Sequence, residues 1–387
     1  MRFAERVSQL KPSPTLAISA KAKEMKKAGI DIIGFGAGEP DFDTPENIKK
    51  SAIEAIKGGF TKYTPAAGTP DLKKAVAEKL KKDNRLTYTP EQIVISCGAK
   101  HALYNIFQVL CDKGEEVIIV SPYWVSYIEM VRLSGATARI VEAREEAGFA
   151  VNPRDIEKNI TKRTKAIIVN SPSNPTGAVF GKKVLAEIAE IAARNGIFVI
   201  SDEIYEKLIY DKEEHTSIGS LGKDIFKLTI TVNGVSKTYS MTGWRIGYAA
   251  GPLEIMKKIS ALQSHSTSNP TSISQAAALE ALRGKKDDLR KMKKEFTLRR
   301  DFMIKKINSF KTLSCVKPAG AFYAFTNISS TGLGSLDFSE RLLEEAHVAC
   351  VPGIAFGSDK HIRISFATSM ENIKSGLDRI GKWLKKL

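Results

Sequence analysis

Six short apolar runs rich in β-branched residues recur through the middle of the chain: Ile93–Ser96, Val117–Val120, Ala166–Asn170, Ile197–Ser201, Leu228–Val232 and Ile246–Ala250. Amphipathic helical patterns separate several of them. Ala102, Leu103, Ile106, Phe107 and Leu110 fall on one helix face, as do Val184, Leu185, Ile188, Ile191 and Ala192, because residues three and four apart share one side of a 3.6-residue spiral. Alternating strand and helix signals predict an α/β fold, an open and mostly parallel sheet with helices on both faces. In such sheets ligands gather outside the C-terminal ends of the strands. The residues just after each run are therefore the ones to read for chemistry.

The flanks read differently. Ser274 to Ser309 has the pattern of one or two long helices, and Ala321–Asn327 and His361–Phe366 read as strands with helices after each. The first ~40 residues are too few to fold alone and are expected to pack against this C-terminal part. The expected division is a large unit over residues 44–284 and a smaller α/β unit from 1–43 and 285–387. A chain of 387 residues suits two units, since domains usually run roughly 100–200 residues.

Charge and cysteines narrow the classes. Lys and Arg outnumber Asp and Glu by 59 to 43, a formal charge of +16. The lysines are dispersed over helical stretches such as Lys291 to Lys294, and no nucleic-acid recognition motif accompanies them, so no nucleic-acid partner is expected. A basic surface suits an anionic cofactor or substrate equally well. Cys97, Cys111, Cys315 and Cys350 are scattered, without a CxxC pair or metal-ligand spacing to histidines. They read as thiols in a reducing compartment. No stretch approaches the ~18 apolar residues that a membrane span needs, and the expected location is cytoplasmic, with no membrane partner and no metal.

One loop concentrates reactive side chains. Asn233-Gly234-Val235-Ser236-Lys237-Thr238-Tyr239-Ser240-Met241-Thr242-Gly243-Trp244-Arg245-Ile246-Gly247 follows a strand run. A desolvated lysine loses its proton readily and can form a Schiff base. Ser236 and Arg245 offer a hydroxyl and a rigid fork for a phosphate. Position by position, this string resembles the lysine-attachment signature of the class I (fold type I) pyridoxal-phosphate-dependent aminotransferases, including the arginine eight residues after the lysine.

Further motifs follow the same family pattern, over almost the whole chain. Asn174-Pro175-Thr176-Gly177 follows the Ala166–Asn170 run and is similar to the family's asparagine-proline loop. Taken alone it would be a β-turn. The resemblance gives Asn174 the cofactor's phenolic oxygen. Asp202 and Tyr205 follow the Ile197–Ser201 run. The resemblance sets Asp202 against the ring nitrogen, where a carboxylate sustains the electron sink, and Tyr205 on the phenolic oxygen. Gly98-Ala99-Lys100 opens a helix, whose free amides and dipole attract anions; the family places the cofactor phosphate there. Trp124 takes the position of the ring stacked on the pyridine.

Arg363 is a charge inside a strand-like run and needs a partner. The resemblance makes it the clamp on the substrate α-carboxylate. Gly38, in Gly36-Ala37-Gly38-Glu39-Pro40, becomes a substrate contact. Tyr63 becomes a residue that reaches the neighbouring subunit's phosphate in a homodimer with shared sites. The loop Ser264–Thr271 offers no arginine for a distal carboxylate. That resembles the subgroup of bacterial aspartate aminotransferases in which a lysine, here Lys100, helps bind that group, with Lys11 as a second candidate. The implied reaction moves an amino group between L-aspartate and 2-oxoglutarate. The alternatives are a prephenate, aromatic or broad-specificity aminotransferase, a β-lyase or cyclopropane-forming synthase with the same cofactor, and a non-catalytic regulator that keeps the fold.

Overall fold

The computed structural model describes residues 4–8, 10 and 14–387. Lys11 lies outside the described residues. Thirteen strands form three sheets among them. The largest contains β2 (Ile93–Ser96), β3 (Glu116–Ser121), β4 (Thr137–Glu142), β5 (Thr164–Asn170), β6 (Phe198–Asp202), β7 (Thr229–Gly234) and β8 (Gly247–Ala250), in the order β2-β8-β7-β6-β5-β3-β4. All pairs are parallel except those of β8, which is antiparallel to both β2 and β7. The β7–β8 connection carries no crossover helix, so the chain turns back beside the strand it has just left.

Successive side chains of a strand point to opposite faces, and the core divides accordingly. Val117, Ile119, Ala166, Ile168, Ile200, Ile230 and Val232 pack on one face under the helix Ala99–Leu110. Their neighbours Ile118, Ile167, Val169 and Val199 pack on the other, under the helix Lys182–Asn195. Each such buried valine or isoleucine stabilises the fold by about 1.5–3 kcal/mol. The face positions read from the sequence, Ala102, Leu103, Ile106, Phe107 and Leu110, are all buried.

A four-stranded antiparallel sheet joins β9 (Ser314–Cys315), β10 (Tyr323–Asn327), β12 (Val351–Pro352) and β13 (His361–Ser365). The helices Asp287–Ile307, Ser335–Ala346 and Met370–Leu384 cover it, through Phe296, Phe322, Phe338, Phe366 and Trp383. Near the N-terminus β1 (Ile33–Gly34) pairs in parallel with β11 (Val348–Ala349), and Ile18 and Ile32 pack on Leu343 and Ala349.

Candidate active site

The parallel strands all end at one edge of the large sheet, and β8 starts there. Asn174, Asp202 and Lys237 follow or close β5, β6 and β7, Trp124 follows β3, and Arg245 lies two residues before β8. The topology thus gathers residues from 98 to 245 at one edge.

Lys237 sits at the centre. Its Nζ donates to the Gly38 carbonyl at 2.5 Å and lies 5.9 Å from the Tyr205 ring centroid. Burial of the amine pulls its pKa down to about 8; Glu39 opposes this, while Arg363 and Arg245 reinforce it. A neutral nucleophilic amine is therefore accessible near physiological pH.

Asp202 is buried, and its Oδ2 accepts from the Tyr127 hydroxyl at 2.6 Å. Burial pushes its carboxyl up to about 6, against the hydrogen bonds of Tyr127 and the Ile204 amide. It still ionises at neutral pH. Asn170 braces both neighbouring loops: its Nδ2 donates to the Asp202 carbonyl at 3.1 Å and its Oδ1 accepts from the Asn174 amide at 3.0 Å.

Arg363 reaches the same pocket from β13. Its guanidinium donates to Asn174 Oδ1 and to the Gly36 carbonyl, both at 3.0 Å. Its Nε is buried without a partner. Arg363 is 5% exposed, and leaving donors of a buried guanidinium unpaired costs free energy unless a ligand accepts them. A carboxylate is the natural acceptor.

The start of the helix Ala99–Leu110 offers free backbone amides of the kind that attract anions. Gly98 precedes it with φ +90° and provides no side-chain cap. A Cβ on Gly98 would stand 2.4 Å from Arg245 Nη2, so only glycine lets the guanidinium approach this backbone. Arg245 donates to the carbonyls of Thr242 (2.6 Å) and Cys97 (3.3 Å). Ser236 is buried one residue before Lys237. Lys100 lies over the Trp124 ring at 4.9 Å, and burial followed by the Arg245 charge lowers its pKa. Trp124 meets Tyr127 edge-on at 5.3 Å. Among the described residues no carboxylate is ion-paired with Lys100, Lys237, Arg245 or Arg363. Four basic side chains without a carboxylate partner therefore lie near one another, an arrangement that suits an anionic ligand.

The family model for class I and II aminotransferases matches residues 30–380. The chain belongs to this family. It is 50% identical to an aspartate aminotransferase of Bacillus sp. (strain YM-2) over 99% of both chains, and 48% identical to that of Bacillus subtilis (strain 168) over the full length of both. It is also 48% identical to a probable aspartate/prephenate aminotransferase of Aquifex aeolicus over 100% of this chain and 99% of that one. Among solved structures, Thermus thermophilus aspartate aminotransferase with maleate superposes with a TM-score of 0.96 at 44% identity, covering 99% of this chain and 100% of that one. The fold is that of the fold type I aminotransferases, as the sequence reading expected.

Several groups in this aminotransferase's cleft escape a motif reading. Tyr127 was detectable only as an aromatic one helical turn beyond Trp124. Asn170 was visible as the last residue of a strand run but carried no motif. Tyr323 holds the Tyr205 hydroxyl at 2.8 Å and comes from a strand more than a hundred residues away, for which local sequence gives no signal. Tyr63 stands apart from these contacts and is 90% exposed.

Proposed function

We propose that this aminotransferase exchanges the amino group between L-aspartate and 2-oxoglutarate with pyridoxal 5′-phosphate held on Lys237. The observation that carries this reading is the depressed Lys237 amine beside three further basic side chains without a carboxylate partner, Lys100, Arg245 and Arg363. The residues fit the cofactor: the Gly98 cradle, the Ala99 amide, Ser236 and Arg245 for the phosphate, Asp202 for the ring nitrogen, Asn174 and Tyr205 for the phenolic oxygen, and Trp124 against the ring. When bound, the cofactor supplies the electron sink that makes the substrate Cα–H acidic.

The chain's own groups do the rest. Arg363, steadied by Asn174 and the Gly36 carbonyl, grips the substrate α-carboxylate and fixes the Cα–H bond. Gly38 lines the substrate side. The Lys237 amine would act as the base that takes the Cα proton and as the acid that gives it back. Asp202, ionised beside Tyr127, would hold a proton on the ring nitrogen of the bound cofactor.

Relatives at 47–50% identity are named aspartate aminotransferases, which supports aspartate as the amino donor. Lys100 is the proposed contact for the distal carboxylate, with Lys11 as a second. A flexible ammonium tolerates bulkier dicarboxylates better than a rigid fork does, and relatives named aspartate/prephenate aminotransferase keep prephenate as the second reading. Intact Lys237, Asp202 and Arg363 speak against a non-catalytic regulator. The proposed assembly is a homodimer in which Tyr63 enters the partner's site. Ile53, Ile56, Phe60 and Tyr63 form a run of exposed apolar side chains near it, which supports a covered face. We divide the chain into 44–284 and 1–43 with 285–387, and place it in the cytosol on its four free thiols.

The test is a substrate panel on the loaded enzyme and its Lys100→Ala variant. The variant should lose roughly 30- to 150-fold in kcat/KM for aspartate and far less for alanine or phenylalanine. Equal losses for all three would place Lys100 at the phosphate or in the scaffold.

A further inference from the structure

Tyr323 touches two of the reacting groups at once. It lies on β10 with its ring 4.3 Å beneath the Arg363 guanidinium. Its hydroxyl is 2.8 Å from that of Tyr205. The register explains the first contact. Phe325 pairs with Arg363 and Tyr323 with Ser365, so Tyr323 and Arg363 are diagonal neighbours on one face of an antiparallel pair. Phe356 closes the guanidinium from another side at 4.9 Å. A Cβ added at Gly38 would come 3.5 Å from the Tyr323 hydroxyl, so this phenol also borders the loop that accepts from Lys237.

We propose that Tyr323 is a dual positioning residue of the transamination site: its ring is the floor that holds Arg363 flat for the substrate carboxylate, and its hydroxyl fixes the direction of the Tyr205 hydroxyl. This rests on the function proposed above. The two jobs belong to different atoms and are separable by substitution. A buried guanidinium over an aromatic face is attracted by the ring quadrupole, and phenylalanine keeps that face. A buried phenol whose partner is removed turns to another acceptor or stays unpaired, and only the hydroxyl is lost in phenylalanine. Neither residue's fold depends on the hydroxyl, since both rings are held by Phe322, edge-on to Tyr205 at 5.4 Å and tilted against Tyr323 at 4.7 Å.

The experiment compares Tyr323→Phe and Tyr323→Leu in the pyridoxal-phosphate-loaded enzyme, with three readouts: the KM and kcat split, the pH midpoint of the visible absorbance, and calorimetric binding of succinate as a non-reacting dicarboxylate. Tyr323→Phe should leave KM and succinate affinity within about twofold, lower kcat roughly tenfold and move the absorbance midpoint. Tyr323→Leu should additionally weaken succinate binding about fivefold or more. An unchanged kcat and midpoint in Tyr323→Phe would overturn the hydroxyl's role, and unchanged succinate binding in Tyr323→Leu would overturn the floor. If Tyr323→Leu does not fold, Tyr323→Phe still decides the hydroxyl, and Tyr323→Trp, which keeps an aromatic face, should bind succinate like the parent if the floor is real. An unmutated enzyme that takes up no pyridoxal phosphate and transaminates nothing would instead refute the proposed function, leaving these comparisons distinguishable from that failure.

Discussion

Lys237 and Asp202 are displaced from their ordinary pKa values in opposite senses by one cause, burial, and the site uses both displacements. The amine falls to about 8 and the carboxyl rises to about 6. A lysine with a lowered pKa is protonated below that value, so the neutral amine, the only form that attacks an aldehyde, becomes scarce as pH falls. Capture of pyridoxal phosphate by the apoenzyme should therefore slow about tenfold per pH unit below about 8 and level off above it. Stopped-flow absorbance checks this; a rate still climbing steeply to pH 10 would mean an amine of ordinary basicity. Asp202→Ala should still capture the cofactor but lose roughly 10²- to 10³-fold in kcat, the scale for removing one preorganised charge at a reacting centre. Turnover within threefold of the parent would refute its part in the electron sink. The motif residues were legible one by one because the chemistry dictates their types. Tyr127 and Tyr323 were not, because aromatic residues fill cores so commonly that only their three-dimensional neighbours reveal a role.

The elements explain why so much else could be read. Central strands such as β5 and β6 are apolar on both faces, and every run singled out in the sequence corresponds to a strand within a residue or two at either end. The missed strand is β4, at the sheet edge, where Thr137, Ile140 and Glu142 are exposed. An edge strand has one covered side and tolerates charge, so its sequence loses the apolar signature. The short pairings β1 with β11 and β12 with β13 arise from tertiary contact and leave no pattern in so few residues. The helix start at Ala99 sharpens a prediction of its own. Gly98→Ala would combine φ +90° with a Cβ 2.4 Å from Arg245, a strain of about 1–3 kcal/mol relieved by pushing the guanidinium away. Cofactor release, followed by absorbance during dialysis, should accelerate at least about tenfold. Retention equal to the parent's would show that the cradle does not hold the phosphate.

At the scale of the whole molecule, the proposed dimer makes each site depend on both chains. Tyr63, 90% exposed, follows the exposed Ile53, Ile56 and Phe60 within ten residues of chain, and it is the residue to test. Hybrids of Tyr63→Ala chains with Lys237→Ala chains should contain one site carrying both defects and one carrying neither. Activity above that of either parent dimer is then expected on mixing and refolding. Activity equal to the average of the parents would place Tyr63 in its own chain's site. The central claim, however, is chemical: one particular lysine among many holds the cofactor. Borohydride reduction of the pyridoxal-phosphate-loaded protein, followed by peptide mass mapping, reads it directly. The expected result is one pyridoxyl-phosphate adduct per chain, on Lys237, absent from Lys237→Ala. A specific adduct on any other lysine would contradict it.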